Sequence, residues 1–204
     1  MQARRLGVIL FPGFEVLDVF GPLEMFGFLK GTVDIDMVAQ QAGHVRSAQG
    51  PETVASYGFD DCPPLDLLLV PGGFGTRTEV DNPHILSFLR RRVPEVEIAM
   101  TVCTGTSLLA RAGLLDGRRA TTNKRSFQWV AEQGAKVQWV KEARWVEDDK
   151  FVTSSGVSAG IDMALAVIAR LYGKEISDNL AVSAEYEWHR DAGWDPFAKV
   201  HGLV

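Results

Sequence analysis

Cysteine is scarce in this chain: 204 residues carry two, Cys62 and Cys103. Two thiols build no disulfide framework, so a small cross-linked secreted scaffold is excluded and a reducing compartment is the default. Histidine is nearly as rare, and His44, His84, His189 and His201 are scattered without metal-ligand spacing. Neither a metal nor another cofactor is expected. Basic charge is not in excess, with 21 Lys and Arg against 26 Asp and Glu and a net charge of −5. That balance argues against nucleic acid or an anionic membrane as partner. No apolar run is long enough for a transmembrane helix; the stretch Leu6–Phe11 is short and lacks a cleavage region. A cytoplasmic protein is therefore expected. Internal repeats, low-complexity segments and a P-loop Lys-Ser/Thr are missing too.

What is present is ordinary globular composition, 46% hydrophobic and 23% charged. The length suits one α/β domain spanning 1–204, with a core that needs no staples. Strands are expected at Arg5–Leu10, Val33–Val38, Asp66–Val70, Ile98–Val102, Lys136–Val140, Arg144–Val146 and Phe151–Thr153, with a short one at Ala120–Thr122. Helices are expected at Phe14–Phe26 with a kink near Gly21-Pro22, at Asn82–Val93 and at Ser107–Ala112. Further ones are expected from Ser126, as side-chain cap, to Ala131, at Ile161–Tyr172, and at Ser177–Trp188 as an amphipathic tail. Residues 44–56 read as a loop or irregular hairpin.

The stretch Ile98–Leu109 organises the rest. A buried strand runs into Cys103, small residues follow at Thr104, Gly105 and Thr106, and a helix begins. A thiol at such a corner faces away from the sheet, above unpaired helix N–H groups and a positive dipole end. Both favour thiolate, the reactive form, although a buried structural cysteine is the competing reading. Cys62, beside two prolines, reads as packed. Asp18 lies inside the apolar run Leu17–Phe20, where an acid needs a partner or a raised pKa. Glu15 reads as favourable charge at a helix start. Pro71-Gly72-Gly73 closes a buried strand and can expose backbone N–H groups at the sheet mouth, half of an oxyanion hole.

Phe11-Pro12-Gly13…Leu17-Asp18…Gly21-Pro22, Pro71-Gly72-Gly73, Cys103-Thr104-Gly105 and Ser155-Gly156…Ala159-Gly160-Ile161-Asp162 together resemble the ThiJ/PfpI superfamily over nearly the whole chain. Asp18 and the Cys-Thr-Gly corner are most similar to isocyanide hydratases and to the ligand domain of AraC-type regulators. The resemblance implies a flavodoxin-like sandwich, a mostly parallel sheet with helices on both faces. It implies Cys103 as nucleophile, Asp18 as its acid partner, and Gly72, Gly73 and Thr104 as the oxyanion and substrate-binding groups, the Thr104 hydroxyl serving either the chemistry or a helix cap. Thr104 stands where protease-like members carry histidine, which points away from proteolysis. Asn123 stands where isocyanide hydratases carry histidine. The chain does not continue into a helix-turn-helix module, so no nucleic-acid partner is expected. The activity implied is cysteine-dependent hydration or hydrolysis of a small electrophile, an isocyanide giving an N-substituted formamide. A non-catalytic redox sensor and a glyoxalase- or deglycase-like enzyme are the alternatives. A homodimer is implied as well, with Phe14, Phe20 and Phe26 as candidate contacts.

Overall fold

The structure, a computed structural model, describes residues 3–204. Strand β1 (Arg4–Ile9) leads through the turn at Phe11–Phe14 into α1 (Val16–Gly27), and β2 (Val33–Val38) follows. An antiparallel hairpin, β3 (Gly43–Arg46) and β4 (Glu52–Ala55), decides between the loop and the hairpin expected over residues 44–56. Next come β5 (Leu67–Val70), the short α2 (Thr76–Glu79), α3 (Pro83–Arg92) and β6 (Ile98–Thr101). A single 3-10 turn at Cys103–Gly105 precedes α4 (Thr106–Arg111). Then follow β7 (Arg119–Ala120), α5 (Phe127–Glu132), β8 (Gln138–Trp139), β9 (Trp145–Asp148), β10 (Phe151–Ser154), α6 (Ala159–Tyr172), α7 (Lys174–Ser183) and α8 (Pro196–Val200).

The central sheet has the order β2-β1-β5-β6-β10-β9, parallel throughout except for β9 at one edge. Four-residue runs such as Leu67–Val70 and Ile98–Thr101 are buried along their whole length. Uninterrupted apolar strands are what a sheet covered on both faces requires. Helices α1, α6 and α7 pack together on one face, and α2 to α5 form the other group. The chain moves outward from β1 to β2, then crosses back to β5, so the β1/β5 junction is the switch point where such sheets leave a crevice. The turns after β1, β5 and β6 all open onto it.

Several local expectations change. Helix α1 runs unbroken through Pro22. Pro22 has no N–H to give the carbonyl four residues back, and the closeness of α6 holds the segment: a Cβ on Gly21 would come within 2.8 Å of Ile161. The tail helix is the larger correction. Expected over Ser177–Trp188, it runs over Lys174–Ser183 instead, after a break at Gly173 with φ 101°, and Glu185 takes a positive φ of 48°. The reason is a buried acid. Asp162, fully buried on α6, receives Tyr186 Oη at 3.1 Å and the His189 N–H at 2.9 Å, which pulls the chain off the helical path. Its other oxygen takes the Arg144 guanidinium at 2.6 Å. Phe14 and Phe26 are core residues, whereas Phe20 is 42% exposed.

Asp162→Ala would strand the buried Arg144 cation. The expected cost is about 3–5 kcal/mol, read as a lower midpoint in urea. A loss under 1 kcal/mol would show that the pair does not anchor the tail.

Candidate active site

At the end of β6 the backbone is extended at Val102 and then turns sharply: Cys103 has a φ of 57°. A non-glycine residue in this region is uncommon and has to be held there by its surroundings. The Cys103 N–H donates to Ser155 O at 3.2 Å, and Thr122 Oγ1 donates to Cys103 O at 2.7 Å. The thiol faces a cavity of about 610 Å³, although the residue is only 6% exposed. The backbone N–H groups of Thr104 and Val157 and the Thr104 hydroxyl lie near its sulfur and favour the charged form. Val157 itself has a φ of 35°, an outlier for a β-branched residue.

Asp18 arrives from the first turn of α1 and is fully buried. Its Oδ2 accepts the Gly72 N–H at 2.8 Å. Oδ1 has no partner in strict hydrogen-bond geometry, yet the Cys103 thiol acts on the carboxyl as a hydrogen-bonding neighbour. Burial pushes the Asp18 pKa up to about 8, the Gly72 N–H opposes this, and the charge of Glu15 adds to it. Burial, and after it the charge of Asp18, hold the Cys103 thiol above its ordinary value, against the pull of the Thr104 and Val157 N–H groups. This corrects the expectation of a resting thiolate. The helix-start donors are present, but desolvation outweighs them. At neutral pH both groups hold their protons, and they titrate as a pair.

The glycine turn does something other than expected. A Cβ on Gly72 would lie 2.6 Å from Thr104 N and 2.8 Å from Asp18 Oδ2, so only glycine lets the acid and the corner approach. Its N–H is taken by Asp18, and the Gly73 N–H is taken by Thr104 Oγ1 at 3.1 Å. Both N–H groups are therefore engaged within the protein, and the N–H groups that favour the charged form of the sulfur are those of Thr104 and Val157. The Thr104 hydroxyl is also no helix cap. It sits against the β5 turn, 3.1 Å from Thr76 Oγ1.

Cys103, Asp18, Thr104, Gly72 and Gly73 are thus brought together from the ends of three strands. Cys62 is not among them; it is buried, its thiol directed at Pro63 O. Glu15 does line the cavity, held by Gln49 Nε2. The reading from sequence missed Val157, Arg77 and Trp129. The Arg77 guanidinium stacks 4.3 Å above Trp129 at the mouth and donates to Ser126 Oγ at 3.2 Å. Ser126 is therefore tied to Arg77, and its N–H to Asn123 Oδ1, instead of capping α5 through its side chain. Val157 lies in a loop and Arg77 and Trp129 on the short helices α2 and α5, and no motif or periodicity marks any of them as part of the site. Among the described residues no cluster could hold a metal ion, and no helix is long and apolar enough to cross a membrane.

Against known proteins, the DJ-1/PfpI family profile matches residues 4–170. The isonitrile hydratase of Pseudomonas putida is 34% identical over 185 residues, 91% of this chain and 79% of that one. The HTH-type transcriptional regulator GbdR of Pseudomonas aeruginosa is 29% identical, over 90% of this chain but 51% of its own length. Among solved structures, a ThiJ/PfpI family protein from Pseudomonas syringae superposes with a TM-score of 0.85 at 32% identity. It covers 92% of this chain, and the match takes in 76% of its own.

The raised Asp18 pKa carries a stability signature. Folded Asp18 keeps its proton up to about 8, whereas the unfolded acid loses it near 3.8. Between those values the native state binds more protons, so its stability falls as pH rises and levels off above about 8. The melting temperature of wild type should decline across that window, and Asp18→Asn should flatten the decline. Equal slopes in the two proteins would count against a protonated, buried Asp18.

Thr104→Val leaves the Gly73 N–H without its acceptor. A loss of about 1–3 kcal/mol is expected in thermal melts, and an unchanged melting temperature would deny the hydroxyl its bridging role.

Proposed function

The chain belongs to the DJ-1/PfpI family, and from that premise we propose that it is a cysteine-dependent hydratase of small electrophiles, with isonitriles as its substrate class. The observation that carries this reading is Cys103 at the wall of an open cavity with the buried acid Asp18 beside it. The identity with an isonitrile hydratase supports it. A carbon electrophile that gains a proton as it is attacked needs a nucleophile beside a neutral acid, and a carboxyl with a pKa of about 8 is such an acid at neutral pH.

The proposed reaction starts from the pair after one proton has left: the Cys103 thiolate forms a bond to the terminal isonitrile carbon while neutral Asp18 gives that carbon its proton and becomes a carboxylate. The product is a thioimidate. Water then adds to the same carbon, its proton passing through the Asp18 carboxylate to nitrogen. The hydroxyl of that adduct gives its proton to the Asp18 carboxylate as the carbon–sulfur bond breaks, which restores the thiolate and the neutral acid, and an N-substituted formamide leaves. One isonitrile and one water are consumed, and the protein is returned unchanged. The Thr104 and Val157 N–H groups stabilise negative charge on sulfur at the first and last steps. Trp129, Phe74 and Val157 supply apolar wall for the substituent. The charge-balanced reactive form, one proton shared by the two groups, builds up as pH approaches about 8. A resting thiol held up by burial weighs against a peroxide sensor, whose cysteine needs an exposed thiolate. Leu17 and Phe20, both exposed on α1, are the contacts we propose for a homodimer.

A panel of isonitriles, dicarbonyls and small amides separates the possibilities. Isonitrile turnover is expected, rising toward pH 8, lost to background in Cys103→Ala and lowered roughly 10²–10⁴-fold in Asp18→Asn. Turnover of dicarbonyls alone would replace the hydratase reading with a glyoxalase one. Oxidation of Cys103 by dilute peroxide without any turnover would replace it with the sensor.

A further inference from the structure

Lys124 is 3% exposed and does not line the cavity. An ammonium group has three donors, and here three oxygens meet them. Lys124 Nζ lies 2.7 Å from Thr121 Oγ1, 2.6 Å from Ala143 O and 3.3 Å from Thr122 O. Two of these contacts lead to Cys103. From Thr122, the side-chain hydroxyl donates to the Cys103 carbonyl at 2.7 Å. From Ala143, the next residue is Arg144, whose carbonyl accepts the Ser155 N–H at 2.8 Å; the Ser155 carbonyl accepts the Cys103 N–H at 3.2 Å. The path closes on itself. Both the N–H and the C=O of the left-handed cysteine are gripped, and the two grips meet at one ammonium.

We propose that Lys124 is a positioning residue that holds Cys103 in its left-handed conformation, acting through this closed ring of hydrogen bonds. The role rests on the reading of Cys103 as the reacting group. The left-handed turn at Cys103 sets where the sulfur lies relative to the Thr104 and Val157 N–H groups that favour its charged form, so loosening the ring moves the sulfur away from them. The charges facing Lys124 agree with an ammonium there. Asp195 Oδ2, which has no hydrogen-bond partner, lies 3.9 Å from Nζ, and the other Asp195 oxygen caps α8 through the Phe197 N–H. The Arg144 cation opposes it but is itself neutralised by Asp162. Burial lowers the Lys124 pKa to about 8, Asp195 raises it and Arg144 lowers it, so the charge is present at neutral pH.

The test reads the rate at which iodoacetamide alkylates Cys103, followed by peptide mass mapping, beside a thermal melt. Alkylation needs no isonitrile, so it decides this proposal whatever the substrate panel shows. In K124M/D195N the ammonium and its counter-charge go together, and asparagine keeps the α8 cap. Thr122→Val removes one hydroxyl from the ring and serves even where the first variant is too unstable to use. Each is expected to slow Cys103 alkylation at least tenfold at temperatures well below its own melt. Combining the two should cost little more than one, since a ring opened once is already open. Alkylation within twofold of wild type in a folded variant, whether or not it melts earlier, would reduce Lys124 to a structural residue and overturn the proposal. So would losses that multiply on combination.

Discussion

The structure around the cavity depends on one hydrogen bond, from the Gly72 N–H to Asp18 Oδ2. It joins the turn after β5 to the first helix turn after β1, across the switch point of the sheet. It satisfies one oxygen of a fully buried carboxyl, while the other has no hydrogen-bond partner. Because position 72 has no side chain, Thr104 can close over the same spot, and the three loops meet within hydrogen-bonding distance. An alanine there would force the acid and the cysteine corner apart. The pairing of acid and thiol is a consequence of that close approach.

Around this contact the protein holds unfavourable features in place. Cys103 and Val157 both occupy backbone regions that side chains avoid, at a cost of about 1–3 kcal/mol each. Asp18, Lys124 and the Arg144–Asp162 pair are charged or ionisable groups in the interior. None of these helps a fold that needs only to be stable, since apolar residues of similar size would pack at lower cost. Most of them connect to the Cys103 corner through hydrogen bonds, whereas the hydrophobic cluster itself is built mainly of Leu, Val, Ile, Ala, Phe and Met. Frustration gathered at one corner of an otherwise consistent core is the pattern expected of a working site.

The architecture was legible because its signals are local. Buried parallel strands announce themselves as short apolar runs, and Leu67–Val70 and Ile98–Thr101 fall inside the segments read from sequence. The corner at Cys103 was visible from the strand before it and the small residues after it. The tail was misjudged because Ser177–Trp188 has a continuous amphipathic pattern, and the pattern does not know that Asp162 will claim Tyr186 and His189. The glycine turn was misjudged in a different way. Its N–H groups were rightly placed at the sheet mouth, but which acceptor takes them depends on two side chains 54 and 31 residues distant.

The sequence by itself determined the strands of the central sheet and the main helices between them, the need of Asp18 for a partner or a raised pKa, and the placing of Cys103 at a strand-to-helix corner, since each follows from the hydrophobic pattern and turn chemistry of a few neighbouring residues. Tertiary structure alone decided the protonation of the pair, the donors that reach the sulfur, and the polar ring through Lys124. These depend on how deeply a group is desolvated and on contacts between segments far apart in the chain. A thiol at a helix start reads as reactive on local grounds; burial beside an acid keeps it a thiol at rest.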